Sequence, residues 1–144
     1  MKPVFLPHIT LDYLQRTFTE GCLPQTFGIQ FSELKNNTLS AELTVDDRHI
    51  RPGGIANGGV FLILIETVGS AASSCAIDFE KNNTLGINVT ANHLRSAAKG
   101  DKLTATAKPV HVGRSTHLWE VDIVNQNGQL ISSGRITMMI IPKN

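Results

Sequence analysis

The sequence has few of the features that are typical of metal-binding, nucleic-acid-binding or membrane-binding proteins. It contains only two cysteines, Cys22 and Cys75, in 144 residues, and its formal net charge is +1. A near-neutral chain has no bulk electrostatic affinity for nucleic acid or for an anionic membrane, so any anion site must be local. The cysteines lack the short Cys and His spacings of a metal site. We therefore expect two free thiols, a reducing cytoplasmic location, and no metal, nucleic-acid or membrane partner.

We also expect no targeting segment. Residues 1–8 hold a very short apolar patch that prolines interrupt, which is too short for a secretory signal. Residues 58–77 are about long enough to span a bilayer, but they contain Glu66, several serines and two leading glycines. These features predict a soluble protein. At this length we expect a single domain over residues 1–144, with residues 1–24 as an N-terminal helical lead-in.

Hydrophobic periodicity predicts two helices. Leu11, Leu14 and Phe18 share one helical face, and Thr10 before them is a residue type that caps helix N-termini. Residues 58–77 form the second helix, which is longer and apolar nearly all round. A helix of that kind belongs in a core.

Six further segments alternate apolar and polar residues, as β-strands that bury one face do. They lie at residues 26–35, 39–45, 85–92, 103–108, 117–123 and 130–141. In the third segment the predicted buried face consists of Leu85, Ile87, Val89 and Ala91. We expect Pro109 to interrupt or bend the fourth segment, because proline cannot donate to a strand ladder. Asn127 and Gly128 are a strong hairpin signal between the last two.

The order and spacing of these elements predict an α+β fold. Short turns between the later strands make them antiparallel, and one sheet of five or six strands would have one long helix to cover its inner face. The sheet should therefore curl around the helix. Such a sheet leaves an exposed edge strand, which commonly pairs with a second copy of the chain, so we predict at least a dimer.

Glu66 is the only charged residue in the long apolar run of residues 58–77. An ionised carboxylate in a core helix is costly unless it is paired or hydrogen-bonded, so Glu66 either has a function or lies on an exposed edge. The helix begins at Gly58 and Gly59, where free backbone N–H groups and the positive end of the helix dipole favour negative charge. The run therefore contains a candidate base and a candidate oxyanion donor.

Residues 52–66, Pro-Gly-Gly-Ile-Ala-Asn-Gly-Gly-Val-Phe-Leu-Ile-Leu-Ile-Glu, resemble the acyl-CoA thioesterase pattern P-x-G-x-x-H-G-G-x-x-x-x-L-x-E of the hotdog-fold superfamily. Residues 86–96 and 108–114, with Trp119, resemble its PaaI-like branch of 1,4-dihydroxy-2-naphthoyl-CoA and 4-hydroxybenzoyl-CoA thioesterases. The likeness covers residues 25–141. It implies a hotdog fold, an acyl-CoA substrate, no cofactor beyond that coenzyme A, and a homodimer that assembles into a tetramer.

The resemblance also implies roles for three residues. The Gly58 amide would polarise the thioester carbonyl, and Glu66 would act as base or nucleophile. Glu66 lies roughly 12 Å along the helix axis from Gly58, so the family's arrangement, in which the two groups come from opposite subunits, is implied here as well. Ser70, one turn later, either hydrogen-bonds the carboxylate or the reaction intermediate, or bonds back to the carbonyl four residues before it.

Two positions depart from the family pattern. Asn57 stands where the family has histidine, and its amide can donate a hydrogen bond but cannot shuttle a proton. Arg51 stands where the family commonly has Asn or Gln, and it either lies beside Glu66, lowering the carboxyl pKa, or points outward. These departures leave open a non-hydrolytic acyl-CoA-binding protein as an alternative. A hotdog dehydratase is disfavoured, because the histidine nearest the helix entrance is His49.

The second half of the chain supplies candidates for coenzyme A binding. Cationic side chains there would suit the phosphates, although ordinary solvated strand residues are the alternative. The cationic candidates are His93, Arg95, Lys108 and Arg114. Gly59, next to Gly58, allows close approach of the thioester oxygen. By resemblance, the nucleotide and pantetheine path is lined by Gly86, His93, Leu94, Arg95, Ser96, Val110, His111, Val112, Gly113, Arg114 and Ser115. We expect His117 and Trp119 to pack in the core or at the dimer interface. The acyl group, and the choice between coenzyme A and an acyl-carrier protein, stay open.

Overall fold

One sheet wraps around one long helix in the computed structural model, which describes residues 2–144. The elements are α1 (Leu11–Phe18), α2 (Leu23–Thr26), β1 (Gln30–Lys35), β2 (Thr38–Thr44), α3 (Gly58–Cys75), β3 (Asn82–His93), β4 (Lys102–Val112), β5 (Thr116–Val124) and β6 (Leu130–Pro142). The predicted α+β architecture is confirmed. The domain predicted over residues 1–144 includes Met1, which lies outside the described residues.

The sheet has six antiparallel strands in the order β1-β2-β4-β5-β6-β3. β1 and β3 are the edge strands. β3 pairs with β6 along its length, and within residues 2–144 nothing pairs with its other edge. This leaves a long row of backbone donors and acceptors at one side of the domain, as the sequence predicted for an edge strand.

Helix α3 is the core of the domain. Its buried residues include Leu64, Ile65 and Val68, which face the sheet. At Gly69 the helix approaches the sheet so closely that an added methyl carbon would overlap Ile136 Cγ2. The helix is long and apolar enough to span a bilayer by length and composition alone, but 67% of its residues are buried inside the domain. Helix α3 is therefore a core helix.

The N-terminal segment contains one predicted helix and one that the sequence reading missed. Thr10 caps α1, as predicted, by accepting a hydrogen bond from the Tyr13 N–H. Residues 26–35 were expected to be extended throughout, but Thr26 ends the short helix α2, which has Pro24 in its first turn, and Gly28, with φ of +70°, follows that end. Proline in the first turn and glycine after the last residue are typical helix boundaries.

The face assignment predicted for β3 is wrong in part. Val89 and Ala91 are partly buried toward the core, whereas Leu85 and Ile87 are 52% and 54% exposed. A β-bulge between Gly86 and Asn88 inserts one residue in the pairing with β6. Because side chains alternate along a strand, one inserted residue turns the preceding side chains to the opposite face. Gly86, rather than Leu85 or Ile87, therefore faces α3.

Pro109 bends β4, as expected, but does not end it. The strand continues to Val112, with a register shift between Pro109 and His111. The predicted turn before β6 is also present: Gly128 has a φ of +73°, and the Asn125 side chain accepts from the Asn127 and Gln129 N–H groups. These turns bring the later strands into the antiparallel order on which the candidate site depends.

Candidate active site

The N-terminus of α3 presents one free backbone donor. The Asn57 side chain caps the helix by accepting from the Gly59 N–H at 2.8 Å, and the Asn57 carbonyl accepts from the Val60 N–H. Within residues 2–144, the Gly58 N–H has no acceptor. Gly58 is therefore the group at this end that can bind a substrate oxygen, while the Gly59 N–H is already occupied.

His93, at the end of β3, lies directly against Gly58. A methyl carbon added to Gly58 would be 3.0 Å from the Nε2 and Cδ2 atoms of His93. The imidazole packs edge-on against the Phe61 ring with centroids 5.1 Å apart, and its Nδ1 is 2.9 Å from Ser132 Oγ. The ring is thus held from two sides beside the free N–H.

A cavity of about 290 Å³ opens at this end of α3. Its lining consists of Ile55, Ala56, Gly58, Phe61, His93, Leu94, Arg95 and Ser96. The structure therefore brings the predicted segment 93–96 to the Gly58 end of the helix. Arg95 is the cation of that segment, and it is exposed.

Glu66 lies on the exposed face of α3, with its carboxylate against the backbone of β3. A methyl carbon added to Gly86 would be only 2.6 Å from Glu66 Oε1, so the carboxylate occupies the space that a side chain at Gly86 would fill. Partial burial raises the pKa of Glu66 above its usual value. A carboxylate with a raised pKa at the edge of a cavity is a candidate base.

The carboxylate of Glu66 borders a larger cavity of about 490 Å³. This cavity is lined by Phe18, Glu66, Ser70, Ser74, Phe79, Asn83, Thr84, Leu85, Gly86, Met138 and Ile141. Ser70 Oγ donates to the backbone carbonyl of Glu66 at 2.5 Å. Its hydroxyl is therefore bound to the helix backbone, the second of the two arrangements considered for it, and not to the Glu66 carboxylate.

Two predicted cations lie away from the carboxylate. The Arg51 guanidinium is exposed and donates to the Pro52 carbonyl at 2.7 Å, and no ion pair joins it to Glu66 in the described part of the chain. Arg51 therefore takes the outward arrangement. Lys108 lies on the outer face of the sheet, 3.9 Å from an oxygen of Asp122, and it does not join residues 93–96.

Residues 110–115 lie on the side of the sheet level with Gly86 of β3, away from residues 93–96. One row of neighbouring strand positions links the β4–β5 turn to Gly86: Val112, His117, Met138, Gly86. His93 is at the far end of β3, opposite Ser132. The predicted coenzyme A path includes His111, Gly113, Arg114 and Ser115. Within a single chain it is therefore split between two separate regions of the sheet.

His117 and Trp119 pack in the core, as expected. Trp119 Nε1 donates to Ser73 Oγ at 2.9 Å, and Ser73 Oγ is 2.9 Å from His117 Nδ1. Burial lowers the pKa of His117, and it raises the pKa of the Cys75 thiol to about 12. Both cysteines are free thiols, as predicted. Among residues 2–144, no three His, Cys, Asp or Glu side chains converge as metal ligands.

Sequence reasoning missed the residues that surround the predicted ones. Phe18 and Phe79 reach the larger cavity from α1 and from the link after α3, and Ser132 reaches His93 from β6. No local motif connects these residues to the site. Only the pairing of β3 with β6 brings Ser132 beside His93, so the fold had to be known first.

Residues 53–132, more than half of the chain, match the family described as the thioesterase superfamily. The chain belongs to the thioesterase superfamily. The 1,4-dihydroxy-2-naphthoyl-CoA hydrolase of Escherichia coli is 33% identical to it, over 92% of this chain and 96% of that protein. A putative esterase of Pasteurella multocida is 41% identical, over 78% of this chain and 79% of that protein.

Solved structures of thioesterases have the same fold. A mutant thioesterase from Pseudomonas aeruginosa superposes with a TM-score of 0.92 at 30% identity, covering 97% of this chain and 99% of that one. A thioesterase from Haemophilus influenzae gives 0.90 at 32% identity, covering 96% and 95%. The predicted hotdog fold is confirmed, and this member of the thioesterase superfamily is a thioester hydrolase.

Proposed function

We propose that the protein hydrolyses an acyl-CoA thioester to the free acid and coenzyme A in the cytoplasm, with no separate cofactor. One observation carries the proposal: Gly58, whose N–H is free, and the Glu66 carboxylate lie against two separate positions of the same edge strand, His93 and Gly86 of β3. A thioester hydrolase needs both an oxyanion donor and a base or nucleophile. The coenzyme A portion is supported by the E. coli relative, which is named for a CoA substrate.

The two groups would meet across a dimer of this chain. In one chain, Glu66 lies at Gly86, in the first half of β3, and Gly58 lies at His93, the last residue of that strand. Antiparallel pairing of two β3 strands, centred between Val89 and Thr90, would set the Gly86 end of one copy opposite the His93 end of the other. Glu66 of each copy would then face Gly58 of its partner, and each dimer would hold two equivalent sites.

An uncovered apolar surface supports this dimer. Leu62 and Ile63 on α3, with Val89 on β3 and Leu23 on α2, line a shallow apolar depression beside Glu66. An unpaired strand next to an apolar face is prone to aggregation unless another surface covers it. A second copy would cover both. Assembly of two dimers into the proposed tetramer would bury further apolar surface, such as the exposed cross-strand pair of Leu85 and Met139.

The same pairing would complete the coenzyme A path. Residues 110–115 of one copy would approach residues 93–96 of the other, which reunites the two segments that a single chain separates. Arg114 and Arg95 would then be available to the phosphates from the two subunits. The 490 Å³ cavity beside Glu66 has a size suited to a small acyl group, and Phe18 and Phe79 give it an apolar part.

Hydrolysis would begin when the thioester carbonyl oxygen accepts a hydrogen bond from the Gly58 N–H. Glu66 of the partner subunit then takes a proton from water, and the hydroxide forms a bond to the carbonyl carbon. The oxyanion that develops is stabilised at the positive end of the helix. When the carbon–sulfur bond breaks, the departing thiolate takes up the proton from Glu66. In the other route, the carboxylate itself attacks the carbonyl carbon, the carbon–sulfur bond breaks and the coenzyme A thiolate leaves. Water then cleaves the resulting anhydride, which releases the free acid, regenerates the Glu66 carboxylate and supplies the proton for the thiolate.

Release of free thiol from a panel of acyl-CoA esters tests the proposal. Glu66→Gln keeps the shape of the side chain but removes the base, so we expect kcat to fall by about 100- to 10,000-fold. Unchanged turnover in Glu66→Gln would exclude the assigned role. Tight binding of acyl-CoA with no turnover would instead favour the non-hydrolytic alternative, which the presence of both Glu66 and a free Gly58 N–H argues against.

A further inference from the structure

The 490 Å³ cavity beside Glu66, called the acyl cavity below, extends along α3 toward the C-terminal end of the helix. At one end the Glu66 carboxylate lies against Gly86. Further along, Ser74 Oγ is 3.1 Å from Thr84 Oγ1, and both residues line the same cavity. The helix rises roughly 12 Å between Glu66 and Ser74. An acyl group whose carbonyl lies near Glu66 therefore has this direction in which to extend.

Two phenylalanine rings close the end of the acyl cavity that is remote from Glu66. Phe79 lies in the link that follows α3, and Phe18 is the last residue of α1. Their ring centroids are 5.9 Å apart, with 37° between the ring planes, and both side chains are half-buried. The far end of the cavity is therefore an apolar wall that two separate elements build together.

A second cavity of about 470 Å³, called the rear cavity below, adjoins this wall. Among residues 2–144, Phe79 is the one residue that lines both cavities. Phe18 packs edge-on against Tyr13, which lines only the rear one of the two, with centroids 6.4 Å apart. Leu6 and Ile9 give the rear cavity an apolar part. Aromatic rings thus form the boundary between two spaces of nearly equal size.

We propose that Phe79 sets the upper length of the acyl group, by closing the acyl cavity against the rear cavity. The assignment rests on the thioesterase function proposed above and names its substrate class: compact acyl groups that end before Phe79. One methylene more or less in a hydrophobic pocket changes discrimination by about 10- to 200-fold. A long-chain fatty acyl group would have to displace the Phe79 ring, so this enzyme discriminates against it.

The backbone at Phe79 is held independently of the ring. The Lys143 ammonium donates to the Phe79 carbonyl, and the Lys143 N–H donates to the Lys81 carbonyl at 2.8 Å. The Asp78 carbonyl accepts from the N–H groups of Lys81 and Asn82. None of these hydrogen bonds uses the Phe79 side chain. Truncation of the side chain should therefore remove the wall and leave the link in place.

Phe79→Ala tests the proposal, because it should join the two cavities. Thiol release from benzoyl-CoA, hexanoyl-CoA and dodecanoyl-CoA, below the concentrations at which micelles form, gives kcat/KM for each acyl group. We expect the unaltered protein to prefer the compact groups. In Phe79→Ala, kcat/KM for dodecanoyl-CoA relative to the best compact substrate should rise by at least about tenfold. Phe79→Leu should give a smaller rise in the same direction, since it removes less of the wall.

Leu6→Trp is the matched control, because it fills the rear cavity from a residue that does not line the acyl cavity. Alone, it should leave the rates on all three substrates unchanged. Combined with Phe79→Ala, it should abolish the gain on dodecanoyl-CoA. A gain that survives in the double variant would contradict the proposal, because the longer chain would then occupy some other space. Thermal unfolding of each variant is the stability control.

The outcomes distinguish the Phe79 assignment from the proposed function. If the unaltered protein cleaves dodecanoyl-CoA as fast as the compact substrates, or if Phe79→Ala keeps the original length preference, the assignment is wrong while the function stands. Equal losses on all three substrates would mean that Phe79 supports the fold and not the length limit. If Phe79→Ala does not fold, Phe79→Leu decides by the same ratio. If the unaltered protein cleaves no acyl-CoA, the proposed function fails and the length limit fails with it.

Discussion

Glu66 Oε1 lies so close to β3 that a methyl carbon on Gly86 would come within 2.6 Å of it. The missing side chain at Gly86 is thus the reason that the carboxylate can rest against the strand. Gly86 does not have a positive φ, so its backbone conformation is open to other residues. What glycine supplies at this position is space for Glu66.

Gly86→Ala should therefore lower activity by displacing Glu66. We expect kcat to fall by about tenfold to 100-fold, because displacement of a reacting group by about 1 Å has an effect of that size. Steady-state thiol release measures it, with the urea midpoint as a control for folding. In a Glu66→Gln background, Gly86→Ala should lower kcat no further. An additional loss of kcat there would show that Gly86 acts on something other than Glu66.

The pH dependence of the reaction should report the Glu66 carboxyl group. Burial raises its pKa above the usual value of 4.5, and only the ionised form can accept a proton or attack the thioester. The rate should therefore rise with increasing pH, with the midpoint of its acidic limb above 4.5. A profile of kcat/KM measures this limb for the free enzyme. A midpoint at or below 4.5, or the same limb in Glu66→Gln, would contradict the assignment.

Much of the fold follows from local patterns in the sequence. Helix α3 is one long apolar run and the later strands alternate apolar and polar residues, and the positions predicted for these elements hold. The bulge in β3 could not be read in the same way, because Leu85, Ile87, Val89 and Ala91 alternate perfectly in sequence. The bulge arises from pairing with β6, which is a tertiary property. Helix α2 was missed because four residues are too short to show a helical period.

The candidate site likewise combines residues that the sequence identifies with residues that only the fold brings together. Glu66 and Gly58 belong to one continuous motif, so the sequence identifies them together. His93 was a candidate for phosphate binding, but its contact with Gly58 depends on how β3 lies against α3. Lys108 was grouped with it by charge, and only the alternation of β4 shows that this lysine lies on the outer face. Charge indicates which side chains could bind a ligand, and the topology of the sheet determines which of those side chains lie close enough to bind it together.

His117 should make the protein less stable in acid. Burial lowers its folded-state pKa below the usual histidine value of 6.5, so at low pH the unfolded chain binds a proton that the folded chain resists. The free energy of unfolding should thus be unaffected by this group well above pH 6.5 and should fall as the pH drops below it. Urea titrations of the unaltered protein and of His117→Asn measure the effect. The variant should lose part of the slope between pH 6.5 and 5, and an unchanged slope would contradict the prediction.

Asn57 should contribute to stability as the cap of α3. Asn57→Ala removes the acceptor for the Gly59 N–H, and we expect a loss of about 1 kcal/mol in the free energy of unfolding. Asn57→Ser is the matched control, because serine is an equally good N-cap and should retain most of the stability. Equal losses in the two variants, measured by urea denaturation, would mean that the Asn57 side chain acts through another contact.

The proposed dimeric site makes a prediction that a site within one subunit cannot. Gly58→Pro removes the N–H at a helix position that tolerates proline, and Glu66→Gln removes the base, so each variant alone should be inactive. In a heterodimer, however, one site would combine the intact Gly58 of one copy with the intact Glu66 of the other. An equal mixture refolded together should regain about a quarter of the unaltered activity, since half of the dimers are mixed and each has one working site of two.

Gly58→Ala is the control for this mixture, because it brings the same Cβ toward His93 while keeping the N–H. It should retain more activity than Gly58→Pro, and the difference between them isolates the hydrogen-bond donor. Thiol release from the separate and the mixed proteins, with the fraction of dimer measured by light scattering, completes the experiment. Mixed dimers with no recovered activity would mean that Glu66 and Gly58 serve the same site from within one subunit, or that they do not serve a common site at all.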